Sequence, residues 1–213
     1  MKVSEIVRNC IFELYPILSV FSLCLAYQVY LYNKNKNFNK KGILQHFLWI
    51  DIFLLYIALM FDVAGSGTIW DIGKYPEIIR TEEVSLIPFS SDGMLTYLLN
   101  IIMFMPLGFL IPFIWEKFQS IKKITIMGLI LSIYIEITQL FNRRKTDIDD
   151  VLMNVLGTLL GFGILFIWNR KRCGTKRIIK KLEYEYVEVY LIIAMMGRLL
   201  FYNWRFLVKI FFY

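Results

Sequence analysis

Five stretches of this chain are each apolar and long enough to cross a bilayer as a helix, and few folds are compatible with that. A hydrocarbon core about 30 Å thick needs about 20 predominantly apolar helical residues. The runs are 11–32, 43–62, 97–115, 124–141 and 151–168. They dominate the composition. Of the 213 residues 58% are hydrophobic and 19% charged, where a soluble domain is about 45–50% apolar and about 25% charged. A water-soluble fold of this size keeps too much surface exposed to hide such a load. That argues against a soluble enzyme, a disordered tail and a secreted disulfide scaffold. The expected fold is an all-α integral membrane protein, a bundle of about five transmembrane helices, multi-pass in the cell (plasma) membrane. The first run carries Glu13, Pro16 and Gln28 and no Ala-x-Ala cleavage site, so it reads as a span rather than a cleaved leader.

The formal charge of +7 raises the question of nucleic acid, but its distribution points to membrane topology instead. Segments 33–42, 116–123 and 169–181 hold fourteen Lys and Arg; the residues before the first run, 63–96 and 142–150 hold seven. The positive-inside rule then puts the N-terminus outside and the C-terminus in the cytoplasm. Three regions follow: 1–42, a helix and its cytoplasmic turn; 43–168, a four-helix core; and 169–213, a basic segment with a membrane-associated helix. In that tail the apolar stretch 189–197 is too short to span alone. Arg198, Arg205 and Lys209 share a helical face with Tyr202. This pattern favours an amphipathic helix lying on the cytoplasmic leaflet over a sixth span that would bury Arg198. Cys10, Cys24 and Cys173 are scattered and His46 is the only histidine. Neither a zinc site nor a Ser-His-Asp triad is expected, and no cofactor motif is visible.

Charges and amides inside a span are expensive, about 2.5–3.5 kcal/mol for a central charge, and mark functional candidates by default. Ser132, Glu136 and Gln139 sit at i, i+4 and i+7 and share one stripe of the fourth run. Glu136 is either an interfacial carboxylate reaching water or Arg143, or part of a stripe turned into the bundle; its company favours the bundle. Asp147, Asp150 and Asn154 share a face at the start of the fifth run. Thr146-x-x-Asp149 matches a capping box. Capping alone and a polar site are both open for these acids. Asn100 opens the third run, and Pro106 should kink that helix and free a carbonyl. Gly157 and Gly161 form GxxxG, which with Gly108 reads as close helix packing. The expected result is one hydrated polar pocket, open to the extracytoplasmic side and rimmed by Arg143, Arg144 and Lys145.

At these residues the sequence resembles the VanZ-like membrane family. The match runs from Asn100-x5-Pro106-x-Gly108 through Ser132-x3-Glu136-x2-Gln139 to Arg144, Asp147, Asp149-Asp150, Asn154-x2-Gly157 and Gly161. Upstream, Leu86-Ile87-Pro88-Phe89 resembles the family's Asn-Leu-Ile-Pro-Phe stretch, with Ser85 in place of the Asn. The resemblance implies a small polytopic membrane protein connected with reduced sensitivity to teicoplanin-class lipoglycopeptides. Heavy Lys, Asn, Ile, Phe and Tyr usage suggests an AT-rich Gram-positive source.

Three function classes follow. The first is a non-enzymatic envelope protein. It would bind or shield a lipoglycopeptide or a lipid-linked cell-wall precursor through Asn100, Ser132, Glu136, Gln139, Arg144, Asp147, Asp150 and Asn154. The second is an intramembrane enzyme acting on a lipid-linked substrate, with Glu136 as general base and Asp147, Asp149 and Asp150 as candidate ligands for a divalent cation. The third is a small transporter or flippase, for which five spans are few and no inverted repeat is visible. The first is favoured. The partners expected are the bilayer and that ligand, with no nucleic acid.

Overall fold

The structure, a computed structural model, describes residues 3–34, 40–73, 84–89, 93–142, 144–171 and 186–203. Among these, six α-helices carry the fold: α1 (Val3–Lys34), α2 (Lys40–Val63), α3 (Met94–Ile114), α4 (Ile121–Gln139), α5 (Ile148–Lys171) and α6 (Val187–Phe201). Each of the five apolar runs falls on one of the first five helices, with C-terminal ends that agree to within two residues for α3 and α4. Those five are long and apolar enough to cross a membrane.

Their faces show why. In α2, Ile43, Ile50, Phe53, Leu54, Ile57, Met60 and Phe61 are buried, while Leu44, Leu48, Ile52, Leu55 and Leu59 form an exposed stripe on the other side. A helix apolar on every face is stable only in a core or in lipid. Similar exposed stripes run along α3 (Leu95, Leu98, Leu99, Ile102) and α4 (Ile126, Leu129, Ile130, Ile133, Ile137).

The tightest contact is between α3 and α5. A Cβ added to Gly108 would stand 1.8 Å from the Thr158 carbonyl oxygen. At Gly157 it would stand 2.2 Å from the Ile101 oxygen, and at Gly161 1.9 Å from the Met105 oxygen. The two backbones therefore touch along about two turns of α3, the arrangement small residues permit. α3 runs through both Pro106 and Pro112 without a break. Next to the carbonyl that Pro106 leaves unpaired, the Tyr56 hydroxyl donates to Met103 O at 2.8 Å. α2 thus ties a hydroxyl to the proline turn of α3, one residue beyond the carbonyl that the proline frees.

The tail departs from its expected place. α6 does not lie flat on the cytoplasmic leaflet; it is a sixth helix packed along α1 inside the bundle. Its start is tied to the turn between α3 and α4 by a Glu188–Lys117 ion pair at 2.8 Å. Its end meets the opposite end of the bundle, where Trp70 Nε1 donates to Leu200 O and the Tyr15 hydroxyl to Phe201 O. Arg198 is only 3% exposed. It reaches Asp62 at 3.3 Å and lies 3.9 Å from the centre of the Tyr202 ring. A paired and stacked guanidinium tolerates burial that an isolated one would not. The cytoplasmic end expected after α5 is therefore followed by a return, and Asn203 sits at the end carrying Trp70. Segment 172–185, Arg205 and Lys209 lie outside the described residues.

Two short strands complete the fold. β1 (Val84–Ser85) pairs in parallel with β2 (Thr146–Asp147), Val84 opposite Thr146 and Ser85 opposite Asp147. They join the loop before α3 to the loop between α4 and α5, at the end of the bundle that the charge distribution places outside.

Candidate functional site

The stripe on α4 does turn inward. Ser132, Glu136 and Gln139 are 0%, 5% and 6% exposed, because the opposite face of α4 carries the exposed isoleucines. On α5, Asn154 is buried in register with it, and its Nδ2 donates to Ser132 Oγ at 2.9 Å. Asn154 Oδ1 is left buried without a hydrogen-bond donor. One turn further out, Glu136 Oε2 accepts from the backbone N–H of Asp147 at 3.0 Å. The Thr146 hydroxyl donates to the Glu136 carbonyl at 3.2 Å. The membrane carboxylate thus holds the β2 turn on top of its own helix.

The aspartates divide the remaining work. Asp147 Oδ1 accepts from the Asp149 N–H at 3.0 Å, which caps the first turn of α5. Its Oδ2 pairs with Lys145 at 2.8 Å. The Thr146–Asp149 capping box expected from the sequence is therefore replaced: the Thr146 hydroxyl is turned to α4, and Asp147 does the capping. Asp149, fully buried, points the other way. Both its oxygens accept from the Phe89 N–H, at 2.8 and 2.9 Å, and one also accepts from the Tyr97 hydroxyl at 2.7 Å. Asp150 accepts from Asn100 Nδ2, which ties α5 to α3. Among the described residues no group of three His, Cys, Asp or Glu is arranged to hold a metal ion.

Gln139 and Arg144 face a different neighbour. Gln139 Nε2 and Arg144 Nη1 both donate to the Ala64 carbonyl at 2.9 Å, and Asn142 Nδ2 donates to Gly65 O at 2.7 Å. Three donors thus meet carbonyls at the C-terminus of α2, where a helix has unpaired acceptors and negative dipole charge. Gly65 has φ 65°, and a Cβ there would lie 2.2 Å from Arg144 Cζ. A Cβ added at Gly67 would collide with the Thr138 carbonyl oxygen at 2.1 Å. The Gly65-x-Gly67 turn is what lets the α2 loop settle over α4.

The predicted residues from α3, α4 and α5 therefore gather at one end of the bundle, but under cover. Glu136, Asp147, Asp149 and Asn154 are each at most 5% exposed, beneath the 64–68 and 84–89 loops. Asn100 and Asp150 are half-buried, and Arg144 and Lys145 are exposed at the edge. Arg143 lies outside the described residues. Tyr97 and the carbonyls of Ala64 and Gly65 had no separate sequence signal, and Phe89 was marked only by the family resemblance of its stretch. Gly65-x-Gly67 was the one pattern that could have announced the α2 loop.

A family model described as VanZ/LLP1 matches residues 24–169. The chain belongs to the VanZ/LLP1 family. The matched span contains every residue of the polar cluster and the whole α3–α5 contact, and it leaves out α6 and the first part of α1. Searches of curated proteins and of solved structures returned no match. This chain is accordingly a VanZ-like multi-pass membrane protein.

Proposed function

We propose that this protein acts in the plasma membrane as a non-enzymatic envelope component that lowers sensitivity to teicoplanin-class lipoglycopeptides, or maintains the envelope, by engaging an amphiphilic ligand at its outer polar cluster. The ligand is the lipoglycopeptide itself or a lipid-linked cell-wall precursor, both rich in amide and hydroxyl donors. The carrying observation is an acceptor without a donor: Asn154 Oδ1 is buried and unmatched beside Ser132, one helical turn from Glu136. A buried acceptor left unmatched costs about 1–3 kcal/mol, and ligand donors would relieve that cost. Asn100 and Asp150, on the half-exposed edge of the cluster, are where such a ligand would first be met.

The test is a resistance assay in a sensitive Gram-positive host expressing the protein. Glu136→Gln should lower the inhibitory concentration of the lipoglycopeptide toward that of the empty host at unchanged protein level. Full protection by that variant would remove Glu136 from the mechanism, and no protection by the unmodified protein would end the proposal.

A further inference from the structure

Residues 86–89 contribute only one backbone N–H to the cluster. Their side chains point elsewhere. Leu86, Ile87 and Phe89 are 73%, 72% and 69% exposed, and Pro88 is exposed beside them. The stretch Val84–Phe89 carries no charge. Such a run in water would be an association site, yet this one is built to stay in place. Val84 and Ser85 are paired to β2. Phe89 has φ 60°, a left-handed conformation that a bulky side chain rarely takes. It is held there by its N–H on the Asp149 carboxylate. Tyr97 grips the same carboxylate and meets the Phe89 ring edge-on, with centroids 6.3 Å apart. The turn therefore faces its N–H inward and its apolar side chains outward.

Tyr97 belongs to the first turn of α3, so this apolar surface adjoins another. Met94 and Leu95 are 81% and 70% exposed, and Leu98, Leu99 and Ile102 continue the stripe down α3. On a helix that spans the membrane, that stripe faces acyl chains. We propose that residues 86–89 form a lipid contact, an apolar lip seated in the outer leaflet beside the first turns of α3, with Asp149 as its positioning residue. The occupant is the acyl region of outer-leaflet lipid, because the lip is uncharged and continuous with a lipid-facing surface. The contact does not depend on the ligand reading above.

The experiment uses the full chain with Cys10→Ser, Cys173→Ser and Ile87→Cys, labelled with bimane and reconstituted in phosphatidylcholine vesicles. Buried Cys24 in the chain without Ile87→Cys gives the labelling background. Lipid bearing a 5-doxyl group should quench the label more strongly than 12-doxyl lipid, and aqueous iodide should have little effect. An Ile102→Cys label, lower on α3, should show the reverse doxyl order. Asp149→Asn should move the Ile87 label toward iodide; Tyr97→Phe, which keeps the ring, should do so to a smaller extent. Iodide quenching in the otherwise unmodified chain would overturn the lip. Protection from both quenchers would overturn it too, since protein would then cover the site. An unchanged doxyl pattern in both Asp149→Asn and Tyr97→Phe would overturn the positioning role.

Discussion

α5 packs most closely on α3 and α6 on α1, yet the two seams are made of different material. Between α3 and α5 the contact is backbone on backbone at three levels, through Gly108, Gly157 and Gly161. Between α1 and α6 one glycine makes such an approach, Gly197, whose added Cβ would lie 2.4 Å from the Ser19 oxygen. The rest is side chain: Tyr27 edge-on to Tyr190 at 5.1 Å, Tyr15 near Tyr202 at 5.4 Å, and the Arg198–Asp62 pair. Side chains can rotate to absorb a change; a peptide oxygen in van der Waals contact cannot. The first seam should therefore be brittle and the second adjustable. The first also carries the polar cluster at its outer end, and only the first lies wholly inside the family match.

The largest expected effect breaks the brittle seam. Gly108→Val should cost about 3 kcal/mol or more, since overpacking that displaces backbone lies at the top of its range. The readout is loss of folded, monodisperse protein in detergent. Gly197→Val should cost clearly less, and an equal loss would erase the contrast. Next comes Asp149→Ala, which strips a fully buried carboxylate from the Phe89 N–H and the Tyr97 hydroxyl. With hydrogen bonds to charged groups worth about 1.5–3 kcal/mol, the melting temperature should fall well beyond that of Arg198→Leu. Arg198→Leu leaves behind Asp62, about half exposed and able to hydrate. Smaller again is the Ser132–Asn154 bond. A double-mutant cycle of Ser132→Ala and Asn154→Leu should give a coupling of about 0.6 kcal/mol and at most about 1.7, as for other interhelical bonds in membranes. Smallest is Lys145→Ala. Its pair with Asp147 has a lysine 42% exposed, so about 0–1 kcal/mol is expected in a thermal melt.

The sequence made the first seam legible and the second not, for a physical reason. Spans, GxxxG and the Ser132–Glu136–Gln139 stripe are periodic, so spacing along one helix reports which face is buried. α6 has 15 residues and a buried cation, and its burial depends on Asp62, 136 positions away. No local pattern encodes that partner. The cluster shows the same limit. That Asn154 faces α4 follows from its face of α5. That Asp149 turns to Phe89 while Asp147 caps the helix depends on how two loops pair, through Val84 and Thr146. Gln139 and Arg144 both donate to the Ala64 carbonyl at the end of α2, a partner that spacing along α4 does not report.

The proposed function places the amphiphile at the outer polar cluster and not at the α1–α6 seam. Binding of a fluorescent teicoplanin-class lipoglycopeptide to the protein in nanodiscs tests this most directly, with Glu136→Gln and Arg198→Leu measured against the unmodified chain. Affinity should drop for Glu136→Gln and stay near the unmodified value for Arg198→Leu. Unchanged binding by Glu136→Gln, with loss confined to Arg198→Leu, would contradict it.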